Sequence, residues 1–588
     1  MNRVSLPQRL RMIFLVQLTS GDPMRLSSLL TILVFFIQAH APAASHVPER
    51  ARHGMVVSAQ RIASGVGVEV MKKGGNAVDA AIATGFALAV VYPAAGNIGG
   101  GGFMIVRQAD GTAGAFDFRE TAPAAATSHM FLDSTGAYSR PTNHEGYLSI
   151  GVPGTVAGFF AAHKKYGSLP MRELIAPAIL LAEEGFPVSW ALHDDFVALD
   201  SLFRMHPATA RVFLRDGTTP YEPGEIFRQP DLAATLRRIQ KEGRDGFYRG
   251  ETANMVAAAM KKHGGFITAA DLAAYRVHER DVLTGSYHGY DILAMPPISS
   301  GGTVLLEMLN ILEGFDLAAM GHNSAMHIHV AAEAMRRAYA DRARHLGDPA
   351  FNPDMPVQRL ISKPYAAGLR RTISLNRASK SDPVAFNDAE GDHTTHFSVI
   401  DPEGNAVVVT YTLEQSYGAK IVAEGTGFLL NDEMGDFNPW PGHTDTTGMI
   451  GTPPNIVAPG KRMLSSMTPT MVTKNGKPFL LIGSPGGRKI INTVLQVISN
   501  VVDFRMDLGE AIGAPRFHHQ WLPDILYVEK FGTTRDSQRL LEMYGHRVVT
   551  YETSRWQGSA MGVLVDPVTG ILYGMADPRQ PDGAAVGF

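Results

Sequence analysis

The sequence predicts an α+β fold built as one large unit, and three observations carry that prediction. Residues 155 to 345 hold mostly helix-period apolar patterns separated by polar turns, whereas short alternating runs with turn signals between them dominate after Asn387. No composition shift that would mark a linker, no internal repeat and no low-complexity tract interrupts the 588 residues. With 45% hydrophobic and 19% charged residues the chain has the composition of a globular protein with a large buried core.

The first 44 residues read as a targeting segment rather than as part of the fold. Met24-Arg25 precedes the apolar stretch Leu26 to Ile37, followed by Ala39-His40-Ala41 and Ala43-Ala44, which gives the charged, apolar and small-residue zones of an export signal. The stretch falls short of the ~20 residues that span a bilayer, so an exported protein, periplasmic or extracellular, is expected, with no stable membrane insertion after signal removal. A weaker basic and apolar run, Arg9 to Leu18, lies upstream, and Met24 is an alternative start.

Residues 57 to 95 then read as a helix, a stop at Lys72-Lys73-Gly74-Gly75-Asn76, and an alanine-rich packed helix from Asp79. Gly99-Gly100-Gly101-Gly102 passes directly into the apolar strand Phe103 to Val106, and Ala115 to Arg119 follows as a second sheet segment. Because the glycines precede a strand instead of opening a helix after one, they are read as close backbone packing and not as a phosphate loop. Residues 155 to 345, including the helix-period stretch Ser324 to Leu346, are read as helical scaffold. Strands are expected at Phe397 to Asp401, Ala406 to Thr412, Gly427 to Leu430, Met471 to Lys474 and Phe479 to Ile482.

The formal net charge of -3, from 53 basic and 56 acidic side chains, supplies no field for nucleic acid or anionic membrane, so small molecules are the expected partners. The chain has no cysteine, which excludes a cysteine nucleophile, a thiolate metal site and any disulfide. No metal or other cofactor is expected. His327, His329 and Glu333 have ligand-like spacing, but they fall in a helical scaffold segment with no third ligand evident.

The chemistry-bearing region begins at Thr394. Thr394-Thr395-His396-Phe397-Ser398-Val399-Ile400-Asp401 leads through Pro402-Glu403-Gly404 into the alternating run Asn405 to Thr412, the pattern of a hairpin. Thr394 lies seven residues before Asp401 and Thr412 seven after Asn405, so antiparallel pairing brings two hydroxyls together at the sheet end. Threonine is a favoured β residue, and taken alone the pair reads as an ordinary structural one.

Further stretches accompany the hairpin: Gly75-Asn76-Ala77-Val78-Asp79-Ala80-Ala81, Gly99 to Met104, Asp117-Phe118-Arg119-Glu120 and Asp341-Arg342-Ala343-Arg344 before it. After it come Asn431 to Phe437, Leu464-Ser465-Ser466-Met467-Thr468-Pro469-Thr470 and Gly483-Ser484-Pro485-Gly486-Gly487. Together and in this order, from about residue 54 to 588, they resemble the γ-glutamyltranspeptidase family. The resemblance implies an N-terminal nucleophile hydrolase with a four-layer αββα sandwich and a mainly helical outer scaffold. It also implies a precursor that cleaves itself between His393 and Thr394, giving a large subunit of residues 45 to 393 and a small catalytic subunit of residues 394 to 588.

By the same resemblance Thr394 is the nucleophile, activated by its own liberated amine, and Thr412 the threonine that hydrogen-bonds it. Gly486 and Gly487 match the oxyanion hole. Arg119, Ser465 and Ser466 match the residues that hold a substrate α-carboxylate, and Glu433 and Asp436 those that hold the α-ammonium. The implied donor is a γ-glutamyl amide such as glutathione, and the acceptor water, an amino acid or a dipeptide. One departure stands out: Glu414 occupies the position where well-studied members carry asparagine, and its carboxylate either strengthens ammonium binding or points away and leaves that contact unmade, which keeps the preferred donor open. The span Phe437 to Arg462 matches a lid, yet Thr447 stands where an aromatic residue precedes the Gly448-Met449-Ile450-Gly451 turn. Two other functions compete. A cephalosporin (glutaryl) acylase-like amidase would not need Asp436, and a non-catalytic binding protein would not need Thr394, Thr412 and both glycines.

Overall fold

The computed structural model describes residues 46–382, 394–449, 451–551 and 557–588; the expected leader and His393 lie outside the described residues. Two seven-stranded sheets form its centre. In chain order their strands are β1 (Glu49–Ala51), β2 (Met55–Ser58), β3 (Gly101–Arg107), β4 (Ala113–Asp117), β5 (His278–Arg280), β6 (Leu283–Tyr287) and β7 (Tyr290–Ala294). They continue with β8 (Thr395–Ile400), β9 (Ala406–Thr412), β10 (Thr470–Lys474), β11 (Lys477–Gly483), β12 (Met561–Val565), β13 (Leu572–Ala576) and β14 (Ala584–Gly587). The first sheet runs β1-β13-β12-β11-β10-β7-β6 and the second β14-β2-β8-β9-β3-β4-β5, with antiparallel pairing throughout both.

Six helices matter here: α1 (Arg61–Lys72), α2 (Ala77–Val91), α3 (Thr155–Tyr166), α4 (Gly301–Leu312), α5 (Ala325–His345) and α6 (Lys489–Val502). The expected stop is real, since α1 ends at Lys72 and Gly74 follows with φ +94°. Asn76 and Asp79 then form a reciprocal capping box that starts α2. Every residue of α2 is buried, which explains an apolar pattern with no polar face.

Strand alternation sorts the core. On β9, Val407, Val409 and Tyr411 pack with Val68, Phe86 and Phe159 of α1, α2 and α3. Ala406 and Val408 face the other way and join Leu480 and Val563 of the first sheet and apolar residues of α4, α5 and α6. The glycine cluster is the close packing expected of it. A Cβ on Gly99, Gly100, Gly101 or Gly102 would lie 2.0–2.5 Å from the carbonyl oxygens of Leu429, Thr412, Phe118 and Thr410, so only glycine lets β3 seat against the end of β9.

The helical reading of residues 155 to 345 needs one correction: β5, β6 and β7 lie inside it and extend both sheets. They are short, and β5 is largely exposed, so no apolar run announces it. The β6–β7 turn is His288-Gly289, with φ of 47° and 75°, the positive-φ pair of a tight hairpin.

Candidate active site

The β8–β9 hairpin sets the central geometry. Its turn is fixed by Asp401, whose carboxylate accepts from the Asn405 N–H at 2.8 Å and from the Ala77 N–H of α2 at 2.9 Å. Thr395 pairs with Tyr411, so Thr394 stands opposite Thr412 one step further along, as the sequence count predicts. Thr394 Oγ donates to Thr412 Oγ at 3.4 Å, and Thr412 Oγ accepts from the Glu414 N–H at 2.9 Å. His396, although close in sequence, has its ring nitrogens bonded to Thr410 and Ser398, and burial lowers its pKa to about 3.

Thr394 and Thr412 border a small cavity that brings together Arg119, Glu414, Glu433, Asp436, Ser465, Ser466 and Gly487 from the remaining expected site residues. Met467 and Ile490 complete its lining and were not singled out by sequence. Gly486 lies beside Gly487 at the start of α6, and the two residues accept from the N–H groups of Lys489 and Ile490 at 3.0 and 3.1 Å. Their φ angles are +126° and +54°. Among the described residues neither of their own N–H groups donates to a backbone carbonyl, and both lie at the positive end of a helix dipole. An added Cβ at Gly486 would sit in a conformation that L-residues avoid, 3.1 Å from Gly558 Cα. Gly486→Ala is therefore expected to rotate this turn and lower kcat by on the order of 10²-fold with little change in KM, checked by steady-state kinetics.

The same cavity concentrates charge. The Arg119 guanidinium is buried and binds Glu433 at 2.6 Å and Asp436 on its other arm, with Glu120 at 3.7 Å. Arg119 and the two acids assigned by resemblance to different ends of a substrate thus form one ion-pair network. Burial holds the Glu433 carboxyl well above the usual range against the pull of Arg119. Burial also raises Glu414 to about 8, with the nearby Asp436 adding to the rise.

Glu120 is raised by burial to about 7, with Arg119 opposing. The native state keeps a proton that an unfolded glutamate releases near 4.5, so folding stability declines as pH rises from about 4.5 to about 7. Glu120→Gln removes that dependence, and its thermal stability relative to the parent should improve from pH 5 to pH 7.5. An offset that stays constant with pH would contradict the assignment.

Three residues from distant segments hold the site in place. Arg342 of α5 donates to Ser466 Oγ at 3.0 Å and to Ser300 Oγ at 2.8 Å, while Ser300 donates to the Ser465 carbonyl through its hydroxyl at 2.6 Å. Asn455 bridges the two rims, donating to the Asp436 carbonyl at 2.7 Å and accepting from the Leu464 N–H at 2.8 Å. The sequence contains the Asp341-Arg342 pair without showing what it supports. In the expected lid, Trp440 stacks on His443 at 3.9 Å between centroids and lies 6.4 Å from Tyr138.

Among the described residues, two clusters have the composition of metal ligands. His546 does approach His329 and Glu333, supplying the third group that the sequence does not reveal. Glu333, however, is held by Arg336 at 3.2 Å, Arg337 at 2.7 Å and Ser379, and His329 bonds His546 and the Ser374 carbonyl. That cluster is a scaffold network in which Glu333 and both His329 ring nitrogens are partnered and only His546 Nδ1 is not. The second, His144 with Glu414 and Asp432, meets the cavity through Glu414 alone.

Comparison with known proteins places this geometry. A family model described as gamma-glutamyltranspeptidase matches residues 63–587. The chain is 46% identical over 556 residues to the glutathione hydrolase proenzyme of Pseudomonas sp. (strain A14), covering 93% of this chain and 96% of the relative. It is also 46% identical over 545 residues to the glutathione hydrolase proenzyme of Escherichia coli (strain K12), covering 92% and 93%. Among solved structures, a cephalosporin acylase from Bacillus halodurans superposes with a TM-score of 0.81 at 28% identity, covering 94% of this chain and 98% of that one.

Proposed function

The chain belongs to the gamma-glutamyltranspeptidase family, and from that premise we propose that Thr394 is its nucleophile and that the cavity beside it binds the head of a γ-glutamyl donor. The protein is a γ-glutamyltransferase and glutathione hydrolase. The observation that carries the site assignment is the 3.4 Å contact between Thr394 Oγ and Thr412 Oγ, in a cavity also lined by Arg119, Glu433 and Asp436.

In the precursor, Thr394 Oγ attacks the His393 carbonyl, shifting the acyl group from nitrogen to oxygen, and water hydrolyses the resulting ester. The His393 carboxylate and the Thr394 α-amine are released. An α-amine has a pKa of roughly 7.7–8.0, so at neutral pH a useful fraction is unprotonated and can take the proton from its own Oγ. In turnover Oγ attacks the γ-carbonyl, with the developing oxyanion directed at the Gly486 and Gly487 N–H groups. The protonated amine leaves, and water or the amino group of an amino acid or peptide then takes the acyl group.

The zwitterionic head of the donor suits the charged wall. Its α-carboxylate pairs with the Arg119 guanidinium and the Ser465 and Ser466 hydroxyls, and its α-ammonium with Asp436, Glu433 and Glu414. Alternation in β9 between a helical side and a sheet side supports a four-layer αββα sandwich of the N-terminal nucleophile hydrolase type. The segmentation into residues 45 to 393 and 394 to 588 follows from scission at Thr394, and the leader supports export to the periplasm or the medium. Among the described residues no helix is long and apolar enough to cross a membrane.

The acylase likeness supplies the second reading and the test. A glutaryl amide has the γ-carbonyl and carboxylate spacing but no ammonium, so it draws on Arg119 with its carboxylate and returns no positive charge to Glu433 and Asp436. Purified protein should release amine from a γ-glutamyl anilide, faster with a dipeptide acceptor, and should discriminate against the glutaryl anilide by at least on the order of 10²-fold in kcat/KM. Equal rates on both would favour the acylase reading.

A further inference from the structure

We infer that His144, Glu414 and Asp432 form a binding site for one divalent transition-metal cation, with zinc the ion that best fits the nitrogen and carboxylate donors. One ligand atom from each of the three lies within 4.8 Å of the others, and His144 Nδ1 is 3.5 Å from Glu414 Oε2. Tetrahedral zinc with ligands at roughly 2.0–2.2 Å needs ligand atoms about 3.4 Å apart, so small side-chain rotations close the set.

The argument rests on more than composition. All three side chains are buried, at 5%, 4% and 0% exposure for His144, Glu414 and Asp432. Both Glu414 oxygens, Asp432 Oδ2 and His144 Nδ1 are buried, and among the described residues these groups meet one another but no other hydrogen-bond partner. Such groups carry a desolvation cost unless something charged or polar meets them. The other ends of these residues are anchored. Asp432 Oδ1 accepts from the Gln415 N–H at 3.0 Å, which leaves Oδ2 as the inward atom. His144 packs against Gly435, where an added Cβ would lie 2.4 Å from Nδ1, so glycine is what admits the ring. Glu414 is held at φ +80°, an unusual angle for a side chain with a Cβ, and this angle belongs to the turn that places its carboxylate here.

The nearest cations do not fill the role. Lys420 donates to Gln415 Oε1 at 3.1 Å, and neither it nor Arg140 makes an ion pair with Glu414 or Asp432. In the other cluster, by contrast, two guanidiniums meet Glu333. A single proton shared between the Glu414 and Asp432 carboxyls is the alternative occupant, and it is an outcome of the test. The cation takes no part in the proposed reaction. Because Glu414 also lines the donor cavity, metal at this site opposes binding of the donor ammonium; that consequence rests on the function proposed above, whereas the binding itself does not.

The test uses the full mature protein, stripped with chelator and titrated with zinc chloride by calorimetry, and with cobalt(II) followed by its visible absorption. One equivalent should bind, and the cobalt complex should show ligand-field bands of a low-coordinate site. His144→Gln and Glu414→Asn should each weaken zinc binding by at least on the order of 10-fold and remove the bands. Asparagine tolerates positive φ better than glutamate, so Glu414→Asn should fold, which unchanged far-UV dichroism and thermal midpoint would verify. Free glutamate should raise the apparent zinc Kd. Absence of binding at millimolar zinc, or binding that both folded variants retain in full, overturns the site and favours the shared proton. Retained binding with no effect of glutamate overturns only the donor-competition consequence.

Discussion

Thr394→Ala is expected to leave a single uncleaved chain and to lower activity by on the order of 10⁴-fold or more. The variant removes two functions at once. Without Oγ there is no nucleophile for the His393 carbonyl, so the α-amine is never released, and no nucleophile for the donor. Supporting groups cannot substitute: Thr412 Oγ is 3.4 Å away but has no amine of its own, and the ring nitrogens of His396 are bonded to Thr410 and Ser398. Folding should survive, because the side chain sits at the end of β8 and not in either hydrophobic cluster. A denaturing gel and the anilide assay read the two effects separately. Thr394→Ser should process slowly and retain measurable turnover, which distinguishes a lost hydroxyl from a lost fold.

Arg119→Ala is expected to raise KM for γ-glutamyl donors by on the order of 10²-fold and to destabilise the protein by about 3–5 kcal/mol. Arg119 is 1% exposed and faces Glu433, Asp436 and Glu120, so truncation leaves buried acids without their common partner. Proton uptake by those acids offsets part of the loss, which makes the destabilisation smaller at low pH. Arg119→Lys should be intermediate, since a point charge on a flexible stem cannot reproduce a fork that holds Glu433 on one arm and Asp436 on the other. Steady-state kinetics and denaturant unfolding at two pH values check both parts. An unchanged KM would remove Arg119 from the donor site.

The hairpin was legible because its register depends only on local alternation and a Pro402-Glu403-Gly404 turn, where Gly404 takes φ +87°. The same logic placed α1 and α2, whose boundary is written in Gly74, Asn76 and Asp79. Strands β5 to β7 were hidden by brevity and by the helical patterns on both sides, although His288-Gly289 between two alternating runs was an available signal. Within the site, the residues that face the cavity came from motifs, Ile490 apart. The bracing behind it did not: Arg342 lies in a quoted motif whose role the sequence leaves open, Arg342 and Ser300 meet Ser466 and Ser465 across more than a hundred residues of chain, and Asn455 ties Asp436 to Leu464 from within the expected lid. His144 reaches Glu414 from a four-residue helical turn whose sequence has no pattern pointing to it. The pairing of Arg119 with Glu433 and Asp436 is likewise a property of tertiary packing, which the separate motifs could not express.

The reactive hydroxyl gains its base only when the peptide bond before it is cut, so the identity of the new N-terminus is the decisive quantity. Intact-mass analysis with N-terminal sequencing of active, purified protein should find a smaller subunit beginning at Thr394. Fully active protein that is continuous through residues 393 and 394 would contradict the account.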